Sequence, residues 1–154
     1  MGGYQHRLLT FIKRAEQASQ AAKGRAVRAE GLTTAQYNVL LVLNHSPGIT
    51  SSELARRCFV TAQTMSSVLT RLLDRDLVAR TPHGRHPAVL EITVTATGHQ
   101  LLTRADKRVT AVEAALTAAL TPVEQEHLRD LLTRCTAATE NTDPNPPTST
   151  NAGG

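Results

Sequence analysis

A mainly α fold carrying one small β-hairpin is predicted by three observations. First, two capped segments follow one another: Thr50-Ser51-Ser52-Glu53 opens a short helix, and Thr61 opens a second after a tight break at Phe59-Val60. Second, Val89 to Thr95 alternates, with Leu90, Ile92 and Val94 on one side and Glu91, Thr93 and Thr95 on the other, as a half-buried strand does. Third, long segments on both sides repeat apolar residues every three or four positions, the spacing of a helix with one buried stripe. Together these describe a helix-turn-helix with a β-wing, flanked by N- and C-terminal helices.

Taken in order, Leu8, Phe11, Ile12, Ala15, Ala18 and Ala22 predict a long first helix over roughly 4–30, ended by Gly31. Thr33-Thr34-Ala35-Gln36 is a capping box: hydroxyl and amide side chains satisfy each other's backbone donors. It opens a helix through Asn44 with Tyr37, Leu40, Leu41 and Leu43 inward, stopped by the turn residues His45-Ser46-Pro47-Gly48. The helix over 51–57 places Leu54 and Cys58 on its apolar face, and the next, Ala62 to Arg75, buries Met65, Val68, Leu69, Leu72 and Leu73. A strand starts at Leu77-Val78-Ala79-Arg80, and residues 81–87 form a wing tip held between Pro82 and Pro87. A helix from about Ala96 to Leu120 carries Leu101, Ala105, Val109, Val112 and Leu116. Thr121-Pro122-Val123-Glu124 opens the last helix, which runs to about Thr139. Residues 140–154, rich in Pro, Thr and Asn, have nothing to bury and are expected to be disordered. The organisation expected is 1–31 and 99–139 as dimerisation helices, 32–98 as the reader module, and 140–154 as a tail.

The 154 residues and net charge of +4 allow one core and a modest affinity for polyanions. The basic excess lies in residues 1–31 and 49–95, whereas 96–139 is balanced. Four aromatic residues (Tyr4, Phe11, Tyr37 and Phe59) are too few for a base-stacking platform, which disfavours single-strand or RNA binding. The lack of a signal-like or membrane-spanning apolar run points to a cytoplasmic chain, with Cys58 and Cys135 as reduced thiols.

The helix over 62–75 turns Gln63, Thr64, Ser66, Ser67, Thr70 and Arg71 away from its apolar stripe. That face is polar yet almost uncharged, which suits hydrogen bonding to base edges and phosphates better than plain solvation. Thr61 belongs with it as the cap. Arg71 and Arg75, toward the helix C-terminus, are placed to clamp phosphate, and Arg85 is the sole arginine at the wing tip, suited to the minor groove. Arg56 and Arg57 are either backbone contacts or solvated.

These segments resemble the MarR family of winged-helix transcriptional regulators over roughly residues 4–138. Leu32-Thr33-Thr34-Ala35-Gln36-Tyr37-Asn38-Val39-Leu40 is similar to the opening of the family's second helix, and Leu54 to Ser66 to its helix-turn-helix core. Leu72-Leu73-Asp74-Arg75-Asp76-Leu77-Val78 is similar to the exit into the wing, and Val94-Thr95-Ala96-Thr97-Gly98 to the strand-to-helix junction. The resemblance implies a homodimeric repressor, less often an activator, released from operator DNA by a small aromatic or lipophilic effector or an oxidant. The terminal helices would form the dimer, and its two-fold axis would match a pseudo-palindromic site. The sequence departs twice from that pattern. His86-Pro87-Ala88 stands where the family commonly has an Asp-x-Arg pair, and Asp76 stands for a frequent glycine, a place where aspartate tolerates a left-handed backbone.

Competing readings are a winged-helix protein-interaction module without DNA binding and a thiol-based redox sensor through Cys58, flanked by Arg56 and Arg57. Packing competes with the second, since Cys58 falls on an apolar face. His83 and His86 do not supply the converging ligands that a metal needs, no cofactor is implied, and no catalytic motif is present. For an effector, Phe11, Tyr37 and Leu40 offer apolar lining and His6 or His99 a polar contact.

Overall fold

A computed structural model describes residues 3–140 and 142. A single 3-10 turn, Tyr4–His6, precedes α1 (Leu8–Arg28), α2 (Thr34–His45), α3 (Ser51–Arg57) and α4 (Ala62–Asp74). Strands β1 (Val78–Pro82) and β2 (Leu90–Val94) follow, then α5 (Ala96–Ala118) and α6 (Pro122–Glu140). The expected tail lies outside the described residues, apart from Glu140 and Thr142. The first helix is shorter than its periodicity suggests because Arg7 is extended, with ψ 135°, and separates the 3-10 turn from α1.

The described chain forms two compact units, one up to Glu113 and one from Ala114 onward. The core of the first is a single apolar cluster drawn from α1 to α5 and the hairpin: Val27, Leu32, Tyr37, Val39, Leu40, Leu43, Leu54, Met65, Leu69, Leu72, Val78, Ile92, Leu101 and Leu102. The end of α1 and the start of α5 therefore pack in the same unit as the reader module. In the second unit Thr121 and Glu124 close their capping box, with Thr121 N–H donating to Glu124 Oε2 at 2.8 Å and Glu124 N–H to Thr121 Oγ1 at 3.3 Å. Gln125 Nε2 donates to the carbonyls of Thr117 and Leu120, and α6 has no buried residue.

β1 and β2 are antiparallel, in the register Val78 to Val94 and Pro82 to Leu90, and a bridge from Ile49 to Ile92 adds one residue of a third strand. Only Ile92 of the expected inward trio is fully buried; Leu90 is exposed, because the outer half of the hairpin projects beyond the core.

Three helices end with the same pair of backbone bonds. After α1, Leu32 N–H reaches Val27 O and Gly31 N–H reaches Arg28 O; after α3, Val60 N–H reaches Ala55 O and Phe59 N–H reaches Arg56 O. After α4, Leu77 N–H reaches Leu72 O and Asp76 N–H reaches Leu73 O. This is the Schellman closure, which forces its pivot residue into the left-handed region. The pivots are Gly31 at φ 70°, Phe59 at 54° and Asp76 at 55°. Asp76 thus takes the conformation expected of it.

Candidate nucleic-acid interface

At α3 only the hydroxyl half of a Thr50–Glu53 capping box forms, because the Glu53 carboxylate is drawn to two arginines instead of the Thr50 N–H. Thr50 Oγ1 accepts from Glu53 N–H at 3.3 Å, and Glu53 receives Arg56 Nε and Nη2 at 2.9 and 2.7 Å and Arg57 Nε at 2.6 Å. The two guanidiniums hold the Glu53 carboxyl down at about 2. Arg57 also donates to Ser46 Oγ at 2.7 Å and so ties α3 to the segment after α2, whereas Arg56 pairs with Glu53 within α3.

On α4 the buried stripe is Met65, Leu69 and Leu72, with Val68 and Leu73 half-buried against it. This stripe fixes the helix's rotation, which leaves Gln63, Thr64, Ser66, Ser67, Thr70 and Arg71 exposed on one side. Their hydroxyls are not equivalent. Thr61 Oγ1 accepts from Thr64 N–H at 3.1 Å and donates to Thr64 Oγ1 at 3.0 Å, so its single proton is spent positioning the helix start. Thr70 donates to Ser66 O at 2.9 Å. Among the described residues, the side chains of Gln63, Ser66 and Ser67 have no partner within the chain and keep their full hydrogen-bonding capacity.

Arg75 lies where α4 ends and donates through Nη1 to Gly31 O at 2.9 Å, which ties the exit of α4 to the end of α1. Arg71, Arg85 and also Arg80 on β1 are exposed, and among the described residues none forms an ion pair. Arg80 escaped the sequence reading because a lone arginine in a short strand carries no positional signal until the strand's exposed side is known.

The wing tip is organised by His83. Its Nδ1 accepts from the N–H groups of Arg85 and His86 at 3.1 and 3.2 Å, its Nε2 lies 3.4 Å from Glu91 Oε1, and its ring stacks on His86 with 5.5 Å between centroids. Two donors on Nδ1 require that nitrogen to be unprotonated. The seven-residue tip therefore holds Arg85 at its outer edge on a defined backbone. Among the described residues no group of three or more His, Cys, Asp or Glu is placed to hold a metal ion, and no helix is long and apolar enough to cross a membrane.

The residues expected around an effector separate into two sets. Tyr37 and Leu40 are 2 and 0% exposed, walled into the core, whereas His6, Phe11 and His99 are exposed. Tyr37 donates to Asp106 Oδ1 at 2.6 Å, and burial together with that bond pushes its phenol well above the usual range. Lys23 Nζ sits 5.2 Å from the centre of the Tyr37 ring and donates to Asn38 Oδ1 at 2.8 Å; burial lowers its pKa against an opposing pull from Glu113. A groove of about 410 Å³ opens nearby on α1 and α5, lined by Ala22, Arg25, Ala26, Ala29, Arg108, Ala111 and Val112. Arg108 is held there by Glu30, which also receives Arg104, at 2.8 and 3.0 Å. Cys58 is half-buried and burial raises its thiol pKa, the opposite of what an oxidant-sensing thiolate requires.

A capped helix-turn-helix whose second helix presents free polar groups, beside a two-stranded wing with an unpaired arginine at its tip, defines a winged helix-turn-helix protein. Residues 30–86 match the MarR family model. The chain is 39% identical over 102 residues to the HTH-type transcriptional repressor Rv2887 of Mycobacterium tuberculosis (strain H37Rv), covering 66% of this chain and 73% of that protein. The chain belongs to the MarR family of transcriptional regulators. Its fold matches the transcriptional repressor CouR bound to a 23-mer DNA duplex, with a TM-score of 0.80 and 28% identity, covering 88% of this chain and 96% of that one. It also matches Rv2887 in complex with DNA, with a TM-score of 0.68 and 34% identity over 84% of this chain and 97% of that chain. Rv2887 has further been solved with salicylic acid, and that structure matches at a TM-score of 0.68 and 32% identity over 87% and 99%.

Proposed function

We propose that this protein is a homodimeric repressor that reads a pseudo-palindromic operator and is released by a small aromatic acid. The observation that carries the DNA reading is the exposed side of α4, where Gln63, Ser66 and Ser67 retain unused donors and acceptors at the end of the helix that enters a major groove. Thr64 and Thr70 add hydroxyls already oriented by internal bonds, and Thr61 sets the helix start. Arg71 and the remaining donors of Arg75 contact phosphate, and Arg85 lies in or along the adjacent minor groove. Relatives solved on DNA support this assignment.

Fluorescence anisotropy on DNA from upstream of the protein's own gene, against scrambled DNA of equal length, tests the reading. Specific binding that weakens steeply with salt is expected, because each neutralised phosphate releases a counterion. Equal weak binding to both DNAs, tracked across a wider set of genomic fragments, would favour the protein-interaction module. In the same assay Arg85→Ala should weaken operator binding by about tenfold and lower the salt slope by about one, with a Tm within about 2 °C of wild type. Unchanged affinity would remove the wing from the mechanism.

The effector reading rests on the salicylate complex of Rv2887 and on the groove between α1 and α5, which joins an alanine floor to Arg25 and Arg108. Such a groove suits a flat ring bearing a carboxylate. Salicylate added to the preformed complex is expected to lower the anisotropy toward that of free DNA. A ligand dissociates DNA only as far as it prefers the DNA-incompetent conformation, so binding by calorimetry without any loss of operator affinity would discard this mechanism.

A further inference from the structure

The pivot between α3 and α4 holds a residue that the fold gives no reason to keep. Phe59 has φ 54°, in the left-handed region where a Cβ crowds the following carbonyl. The two equivalent pivots carry residues suited to that strain: Gly31 lacks a side chain, and Asp76 has a short polar one. A phenyl ring has neither advantage. Its apolar surface is not recovered by packing either, since Phe59 is 95% exposed, the most exposed large apolar residue among those described. It is also the only aromatic residue between positions 49 and 98. The strained backbone opposes folding and the exposed ring buries nothing to offset it, so the return must come from something outside the folded protomer.

The location indicates what that partner is. Phe59 lies two residues before Thr61, the cap of α4, and Val60 N–H bonded to Ala55 O fixes the turn between them. It therefore borders the N-terminal end of the polar side formed by Gln63, Thr64, Ser66 and Ser67, and no acidic residue occurs between Arg56 and Arg71 to repel phosphate. A recognition helix meets base edges with its N-terminal residues, and the apolar feature a major groove offers there is the C5-methyl group of thymine. We infer that Phe59 is a base-reading residue whose ring packs on a thymine methyl at the edge of each operator half-site. This inference rests on the DNA-binding reading above.

The test pairs protein truncation with methyl removal from DNA. Phe59→Gly should raise Tm by about 4 °C, because glycine adopts the pivot without strain. Phe59→Gly and Phe59→Ala should both weaken operator binding by about tenfold, a loss that cannot be charged to misfolding when the glycine variant is the more stable protein. Replacing each operator thymine in turn by deoxyuracil should reveal one position per half-site where wild type loses affinity and Phe59→Ala loses no more. That coupling identifies the contact. Wild-type binding with undiminished affinity in both variants would overturn the inference, and so would weakened variants without any coupled thymine, which would reduce Phe59 to a backbone contact. If wild type shows no specific DNA binding at all, the regulator reading has failed rather than this one.

Discussion

Gly98→Ala is expected to destabilise the reader unit by about 3 kcal/mol, lowering Tm by about 15 °C, the upper range for overpacking a site that cannot yield. A Cβ at this position would lie 2.1 Å from Leu77 O, 3.0 Å from Leu77 C and 2.7 Å from Val94 Cγ1. Two of those three atoms are backbone. They cannot withdraw by changing a rotamer, and Leu77 is anchored on several sides. Its N–H is bonded to Leu72 O at the end of α4, and its carbonyl accepts Thr95 N–H at 3.1 Å. Thr95 Oγ1 donates to Asp76 O at 2.6 Å and accepts Gly98 N–H at 3.0 Å, so a single hydroxyl caps α5 and binds the α4 exit. Separating α5 from Leu77 by the ångström or more that alanine requires would break this joint and open the core at Leu101 and Leu102. Thermal unfolding followed by circular dichroism measures the effect. A Tm within about 2 °C of wild type would mean that the junction yields cheaply and does not lock the end of α4 to α5.

That junction was legible in the sequence only as a pattern, Val94-Thr95-Ala96-Thr97-Gly98, and not as a contact. The difference is physical. Capping is local: Thr33, Thr50, Thr61 and Thr121 each accept from the amide three residues ahead, and all four hydroxyl caps form where the residues stand. Helix rotation is nearly as legible, because a stripe such as Met65, Leu69 and Leu72 has only one side to bury. What a stripe meets is not local. Val39, buried at 1%, lies outside the inward set that the spacing of α2 suggests, because α2 is surrounded by core rather than resting on it. Leu8, Phe11 and Leu116 obey the same periodicity as Leu101 and Ala105 yet remain 75, 53 and 52% exposed. Periodicity reports that a face is apolar without reporting what covers it. The exposed polar side of α4 was legible because the apolar stripe leaves Gln63, Thr64, Ser66, Ser67, Thr70 and Arg71 only the opposite side to occupy. Phe59 was not, since a lone aromatic in a turn has no pattern, and only its dihedral and exposure set it apart.

The uncovered apolar faces lead to the second large effect. Within α6, Val123, Leu128, Leu131 and Leu132 are 64, 40, 52 and 45% exposed. A helix of 19 residues with no buried side chain is marginal in water, where packing of an apolar face supplies most helical stability. On the proposed reading a second copy of the chain would meet this need and would also supply the second reader for a two-fold site. Leu131→Arg places a guanidinium in that face, where pairing it across a two-fold contact brings two like charges together. The dimer should dissociate to monomers in sedimentation equilibrium. Operator affinity should fall by about two orders of magnitude or more, because the second half-site then no longer binds as an intramolecular event. The two readouts must move together: at protein concentrations high enough to restore the dimer, operator binding should return. A variant that stays dimeric and binds DNA as wild type would show that α6 does not form the interface. A monomeric variant with full operator affinity would contradict the two-fold reading itself, since one reader would then account for all of the binding.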